Sequence, residues 1–186
     1  QQTRSSEARY QTLIAELKQE QYKINSDIVT LEKAMRQKLS AGDNKLEDLG
    51  DVVLSWPVPS RVITSTFHDP DYPFRHIYEH PAIDIRAPQG TPVRAAASGY
   101  VARVQNGGKK GYSYIMIIHN NGLSTVYGHV SAIYVSVDQF VVQGEVIGLS
   151  GGAPGTPGAG RLTTGSHLHF EVRSDGIPVN PEDYLP

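Results

Sequence analysis

The chain has no cysteine. Disulfides and thiolate metal sites are therefore excluded, and any zinc has to be held by histidines and carboxylates. Charge of a single sign is also scarce: 17 Lys and Arg face 19 Asp and Glu, for a formal net charge of -2. Such a balance offers no electrostatic footprint for nucleic acid or an anionic membrane surface. No apolar run approaches the roughly 18 residues of a membrane span, and Gln1-Gln2-Thr3 does not read as a signal peptide. The chain is expected to be soluble as given and a piece of a longer protein. It also lacks a His-Glu-x-x-His motif, so the helical glutamate base of many metallopeptidases is missing. The glycine-rich segment 151–160 is not followed by Gly-Lys-Ser/Thr, and reads as a loop rather than a phosphate cradle. With 186 residues, 39% of them hydrophobic, the chain has material for one good core.

Proline is absent from residues 1–50, which hold only Gly42 and Gly50, whereas the rest of the chain carries all 12 prolines and 16 glycines. That shift marks a boundary. In the first part, Tyr10, Ile14, Leu17, Gln21, Ile24, Ile28, Leu31 and Met35 recur at alternating steps of four and three, a heptad seam. Ile14 and Ile28 fall at a; Leu17, Ile24 and Leu31 fall at d; Gln21 is the polar seam residue that can set register. Eight basic and eight acidic residues give this part a balanced, solvated outer face. The narrow seam favours a coiled coil over a long amphipathic helix packed on its own domain. Ser40-Ala41-Gly42-Asp43-Asn44 reads as the helix stop. The expected organisation is a coiled-coil helix over 1–46, a linker over 47–55 and a globular domain over 56–186, with self-association or a regulatory partner engaged through the coiled coil.

From Trp56-Pro57-Val58-Pro59 onward the signals are short β-branched runs split by Gly, Pro and Asn, including Arg61 to Ser65, Tyr100 to Val104, Tyr114 to His119 and Leu123 to Tyr127. This is a mainly β pattern. Asn120-Asn121-Gly122 predicts a hairpin turn, because Asn and Gly tolerate positive φ. Three irregular stretches, His68 to Glu79, Gln105 to Ser113 and Ser150 to Gly165, are candidate walls of a cleft.

The chemistry concentrates in Gly165-Ser166-His167-Leu168-His169-Phe170-Glu171-Val172. On a strand, His167, His169 and Glu171 share one face, while Leu168, Phe170 and Val172 share the other. Two imidazoles side by side point to a metal, a catalytic base or both, against the plainer alternative of an exposed edge strand that carries two histidines. His80-Pro81-Ala82-Ile83-Asp84 pairs a third imidazole with a carboxylate. Fully extended, those Cα atoms would stand roughly 13 Å apart, so a shared metal requires the backbone to bend between them. Taken alone, that spacing describes an ordinary surface His near a strand carboxylate. His68, His76 and His119 have no motif around them, and His119 reads as a strand-end residue.

With Val126-Tyr127-Gly128-His129-Val130 added, the chain resembles the lysostaphin/LytM-type zinc metallopeptidases that cut cell-wall peptide bridges. The resemblance runs from about residue 54 to 186. It passes through Gly90-Thr91-Pro92-Val93-Arg94-Ala95, Ser98-Gly99-Tyr100-Val101, Val142-Gln143-Gly144-Glu145-Val146-Ile147-Gly148, Thr164 to Val172 and Val179-Asn180-Pro181. It implies a compact antiparallel β domain with an open groove over one Zn2+, with His80, Asp84 and His169 as ligands and His129 and His167 as the two catalytic histidines. Ala82 departs from the pattern, standing where many members have glycine, as does Ser166, which stands where proline is common. A two-His, one-Asp set leaves zinc's fourth position open, as catalytic sites do. The implied activity is endopeptidase cleavage of peptidoglycan crosslinks or bridges in the cell envelope, the periplasm above secretion. The rival reading is a catalytically inactive relative that binds or activates another wall hydrolase through its coiled coil. A biotinyl or lipoyl carrier shares some of these glycine motifs, but needs an exposed hairpin-tip lysine beside Met, which Met116 and Lys109-Lys110 do not provide.

Overall fold

A computed structural model describes residues 2–41, 46 and 50–186, with helix side chains from residue 6 onward. It opens with α1 (Gln2–Ala41), the long helix that the heptad pattern predicts. Of the expected helix stop, Gly42 to Asn44 lie outside the described residues, as do 47–49 of the expected linker. There follow β1 (Ile63–Ser65), β2 (Ile83–Arg86), β3 (Pro92–Arg94), β4 (Gly99–Gln105), β5 (Tyr114–Ile118), β6 (Leu123–Gly128), β7 (Val130–Ile133), β8 (Phe140–Val141), β9 (Val146–Ser150), β10 (His167–Ser174), β11 (Ile177–Val179) and a 3-10 turn at Pro181–Asp183. One sheet runs β1-β2-β10-β6-β5-β4-β8, with β11 also paired to β10, and a smaller sheet runs β3-β9-β7. The pairings are antiparallel, as the family resemblance implies. Among the described residues no helix is long and apolar enough to cross a membrane.

The expected hairpin joins β5 to β6. Asn121 and Gly122 take φ of 54° and 73°, the pair of left-handed residues of a tight primed turn, and Leu123 N–H donates to Asn120 O at 3.1 Å. On β10 the period-two alternation sorts the side chains as predicted. Leu168, Phe170 and Val172 are fully buried in the main core with Ile83, Ile85, Ile115, Ile117 and Tyr127. Each such side chain contributes about 1.5–3 kcal/mol by leaving water. His167, His169, Glu171 and Arg173 occupy the opposite face.

β5 explains where α1 goes. All five residues of Tyr114–Ile118 are buried, because the strand is apolar on both faces and each face needs a cover. Ile115 and Ile117 face the main core. Tyr114, Met116 and Ile118, with Ala102 and Val126, are covered by Ile28, Met35 and Leu39 of α1. Further back along the helix, Leu17 packs with Ile77 and Leu162, and Ile14 joins them beside Phe74 and Tyr78. In this single chain Ile14, Leu17, Ile24, Ile28 and Met35 of the heptad seam therefore face the β domain, the arrangement of an amphipathic helix packed in cis, while Tyr10 stays exposed. A second helix would need the same side chains.

Polar contacts fix the register of that packing. Arg36 donates to the carbonyls of His119 and Leu123 at 3.3 and 2.8 Å at the base of the β5–β6 hairpin. Its buried partner Glu32, 2.9 Å away, accepts from Ser124 Oγ at 3.1 Å.

Candidate active site

Three neighbouring strands set the site. Antiparallel register places Asp84 of β2 beside His169 of β10, and His169 beside Gly128 of β6. His80 precedes β2, and the chain bends between them as the spacing demands, bringing His80 Nε2 to 3.2 Å from Asp84 Oδ1. Ala82 is fully buried at that bend. Among the described residues the non-glycine left-handed positions are His68, Asn121, His129, Asp138 and Asp175, so the bend does without a positive φ at residue 82.

The donor set fits a tetrahedral metal. His169 Nδ1 lies 3.0 Å from Asp84 Oδ1 and 3.3 Å from His80 Nε2. Ligands held about 2.0 Å from zinc at tetrahedral angles stand about 3.3 Å apart. The tautomers agree as well. His80 Nδ1 lies 2.9 Å from Thr66 O, a pure acceptor, so Nδ1 carries the proton and Nε2 turns its lone pair to the cluster. His169 Nε2 faces Glu171 Oε1 at 3.4 Å, which leaves Nδ1 for the same point. Two imidazole nitrogens and a carboxylate oxygen converge there, and they need a positive charge among them. Burial works against the Asp84 carboxylate, but hydrogen bonds from His169 and His80 outweigh it and hold the carboxyl well below its usual range. Burial also opposes charge on His169, yet Asp84 and Glu171 hold its pKa up at about 9. The charge the cluster favours is thus met by a proton or by a divalent cation. Among the described residues these three are the one group of His, Cys, Asp and Glu side chains close enough to chelate an ion.

His129 and His167 stand next to this cluster, their rings edge to face at 4.6 Å. His129 follows β6 directly, with φ of 57°, an uncommon conformation for a residue with a Cβ and one that turns its ring inward. Each histidine donates Nδ1–H to a backbone carbonyl at 2.8 Å, His129 to Ala159 and His167 to Gly165. Both carbonyls belong to the Ser150 to Gly165 wall, which thereby anchors both imidazoles. Burial, followed by the neighbouring His167 and His169, pushes the His129 pKa down to about 3. Burial also lowers that of His167, although Asp84 opposes the shift. Both rings are neutral near pH 7, each with Nε2 as a free acceptor. Such groups can take a proton from water and return it to a leaving group.

Sequence reasoning passed over the aromatic ring around the site. Tyr72 stacks on His80 with centroids 4.2 Å apart, and its hydroxyl lies 2.8 Å from that of Tyr78. Tyr112 sets its edge against His129 at 5.0 Å. A Cβ on Gly128 would collide with the Tyr112 hydroxyl, which is why the residue before His129 has no side chain. Glu171 and Arg173 were also assigned no role, although alternation puts both on the histidine face. His119 belongs elsewhere: it is fully buried, with Nδ1 2.9 Å from Ser98 O and Nε2 2.8 Å from the Thr125 hydroxyl. Burial pushes its pKa down to about 4, so it is a neutral framework residue, in line with a strand-end position.

The three predicted wall loops do surround the site, and α1 lies across the groove between them. A cavity of about 590 Å³ has His129, His169, Glu171, Tyr78, Tyr112 and Leu162 on the β side and Lys18, Gln21, Tyr22, Ile24 and Asn25 on the helix side. Arg161 of the glycine-rich wall reaches Glu16 and Glu20 of the helix at 3.5 and 3.7 Å.

Residues 78–181 match Peptidase family M23. A DD-carboxypeptidase/endopeptidase, Mpg, of Neisseria meningitidis is 45% identical over 121 residues, covering 64% of this chain and 26% of that protein. The peptidoglycan DD-endopeptidase ShyA of Vibrio cholerae is 38% identical over 128 residues, covering 67% of this chain and 28% of its own length. A crystal structure of a zinc-containing peptidase from Vibrio cholerae superposes with a TM-score of 0.59 at 34% identity, over 70% of this chain and 39% of that one. The chain thus spans about a quarter of the length of these curated relatives. The matched segment takes in Asp84, both strand histidines and the Tyr-Gly-His turn, and on that span and similarity the chain belongs to Peptidase family M23.

Proposed function

We propose that this chain is a zinc-dependent endopeptidase that hydrolyses peptide crosslinks of bacterial peptidoglycan outside the cytoplasm, in the cell envelope. The observation that carries this reading is the convergence of His80 Nε2, Asp84 Oδ1 and His169 Nδ1 within 3.0–3.3 Å, beside two neutral histidines with free Nε2 atoms. His80, Asp84 and His169 would hold the zinc. When bound, zinc supplies Lewis-acid polarisation of an amide carbonyl and a lowered water pKa. His129 and His167 take the proton released as water attacks and deliver it to the departing amine. Their anchored Nδ1–H groups keep each Nε2 directed into the site through both transfers. The relatives named as DD-endopeptidases favour a D,D crosslink over a glycine bridge. Purified crosslinked peptidoglycan should yield uncrosslinked stem peptides on intact glycan strands, as read by mass spectrometry. Shortened glycan with persistent crosslinks, or opening of the bond between stem and sugar alone, contradicts the proposal.

An extended wall peptide needs the space over His169 and Glu171 that α1 now roofs. Displacing the front half of the helix should therefore raise turnover of a soluble crosslinked muropeptide by about tenfold or more, since affinity scales with the fraction of open molecules. A form lacking residues 1–22 removes Lys18, Gln21 and Tyr22 from that roof while keeping Asn25 and the Ile28, Met35 and Leu39 contacts that cover β5. Equal turnover of the two forms would show that the helix leaves the groove accessible.

A further inference from the structure

We propose that Glu171 and Arg173 are positioning residues that hold the His169 ring in its metal-binding orientation, and that α1 completes this relay through Asn25. The inference rests on the zinc reading of the site. It concerns a row of three side chains, His169, Glu171 and Arg173, that alternation places on one face of β10.

Glu171 is only 5% exposed, and each of its carboxylate oxygens has its own partner. Oε1 faces His169 Nε2 at 3.4 Å, and Oε2 accepts from Arg173 Nη1 at 2.7 Å. Arg173 is 1% exposed. Its guanidinium is held on the other side by Gly176 O, at 2.9 Å from Nη2 and 3.3 Å from Nε, and by Asn25 Oδ1 of the helix at 2.9 Å. A planar guanidinium tied at both ends cannot swing, so the carboxylate it grips cannot rotate away from His169. The carboxylate in turn keeps the proton of the neutral imidazole on Nε2, leaving the Nδ1 lone pair for the metal. Histidine ligands commonly receive such support from a carboxylate, and its loss loosens metal binding. A sheet face beneath a helix is ordinarily apolar. Here it carries a buried carboxylate and a buried guanidinium in line with a metal ligand.

The test uses the full chain loaded with zinc, and separately with cobalt. Zinc affinity is measured by competition with a chromophoric chelator, and ligand geometry by the visible spectrum of the cobalt form. Glu171→Gln should weaken zinc binding by about 10–100-fold and alter the cobalt bands, because the amide puts an NH2 donor where one of the two accepting oxygens stands, facing either His169 or Arg173. Arg173→Met should follow with a smaller loss, and Arg173→Lys should recover part of it. Asn25→Ala, the outermost link, should give the smallest loss of the series. Thermal melts and circular dichroism identify the folded variants to which the comparison applies, and Glu171→Asp provides a second carboxylate variant should Gln disturb folding. Folded Glu171 variants that bind zinc within about twofold of the parent, with an unchanged cobalt spectrum, overturn the relay. A parent chain that binds neither metal overturns the zinc reading itself and the relay with it.

Discussion

Replacing any one of His80, Asp84 and His169 by Ala is expected to strip most of the zinc from the chain and to reduce peptidoglycan cleavage to background. The three donor atoms stand 3.0–3.3 Å apart, and all three residues are at most 6% exposed. No fourth His, Cys, Asp or Glu among the described residues completes the group. Removing one donor leaves a two-ligand site, a far larger loss than removing an outer partner, which costs about 10–100-fold in affinity. Elemental analysis of dialysed protein gives the readout. Full zinc content in both His80→Ala and His169→Ala would falsify the assignment. Asp84→Asn is the sharper variant, because it keeps the shape and removes the negative charge. It should retain the fold while binding metal weakly.

The second large effect is catalytic and leaves the metal in place. His129→Ala and His167→Ala should each lower turnover by about two to four orders of magnitude, the range expected for positioned acid-base groups. Zinc content should stay near that of the parent, since neither nitrogen is among the three converging donors. His129 is tied to Ala159 O and His167 to Gly165 O. His167 Nε2 lies 3.6 Å from Asp84 Oδ1, close enough to act beside a bound metal. Zinc content and turnover measured on the same preparations therefore separate two classes: ligand variants lose both, and base variants lose turnover alone. Either base variant with near-parental turnover loses its assigned role.

The five candidate site residues were legible in the sequence, two from local alternation and three from motif resemblance. Alternation on one strand is enough to put His167 and His169 on a common face, and ordered motifs mark His80, Asp84 and His129. The need for a bend between His80 and Asp84 followed from reach alone, and the structure supplies that bend without a left-handed residue at Ala82. Tyr72, Tyr78 and Tyr112 were less visible, because aromatic residues in loops look alike until the loops close around a common centre. Glu171 shared the histidine face in the sequence, but nothing there indicated that its two oxygens would be divided between His169 and Arg173.

The heptad seam marks the limit of what sequence can decide. Spacing of four and three identifies a long helix with a narrow apolar stripe, and α1 is that helix. It does not identify what the stripe rests on, because Ile28 and Met35 are equally dry against another helix or against a sheet. One further signal was present: Tyr114 to Ile118 is apolar at every position, so a second cover was required over that strand. Residue types and their spacing thus determined by themselves the helix, the mainly β character and the shared face of His167 and His169, since each follows from backbone period, while the assignment of His80, Asp84 and His129 came from the family resemblance. Only the tertiary structure decided that the helix covers β5 and roofs the groove, that the carbonyls of Ala159 and Gly165 anchor His129 and His167, and that Asn25 of the helix reaches Arg173 on the histidine face of β10. Those contacts join residues up to 148 positions apart, and the distances that create them exist only once the chain is folded.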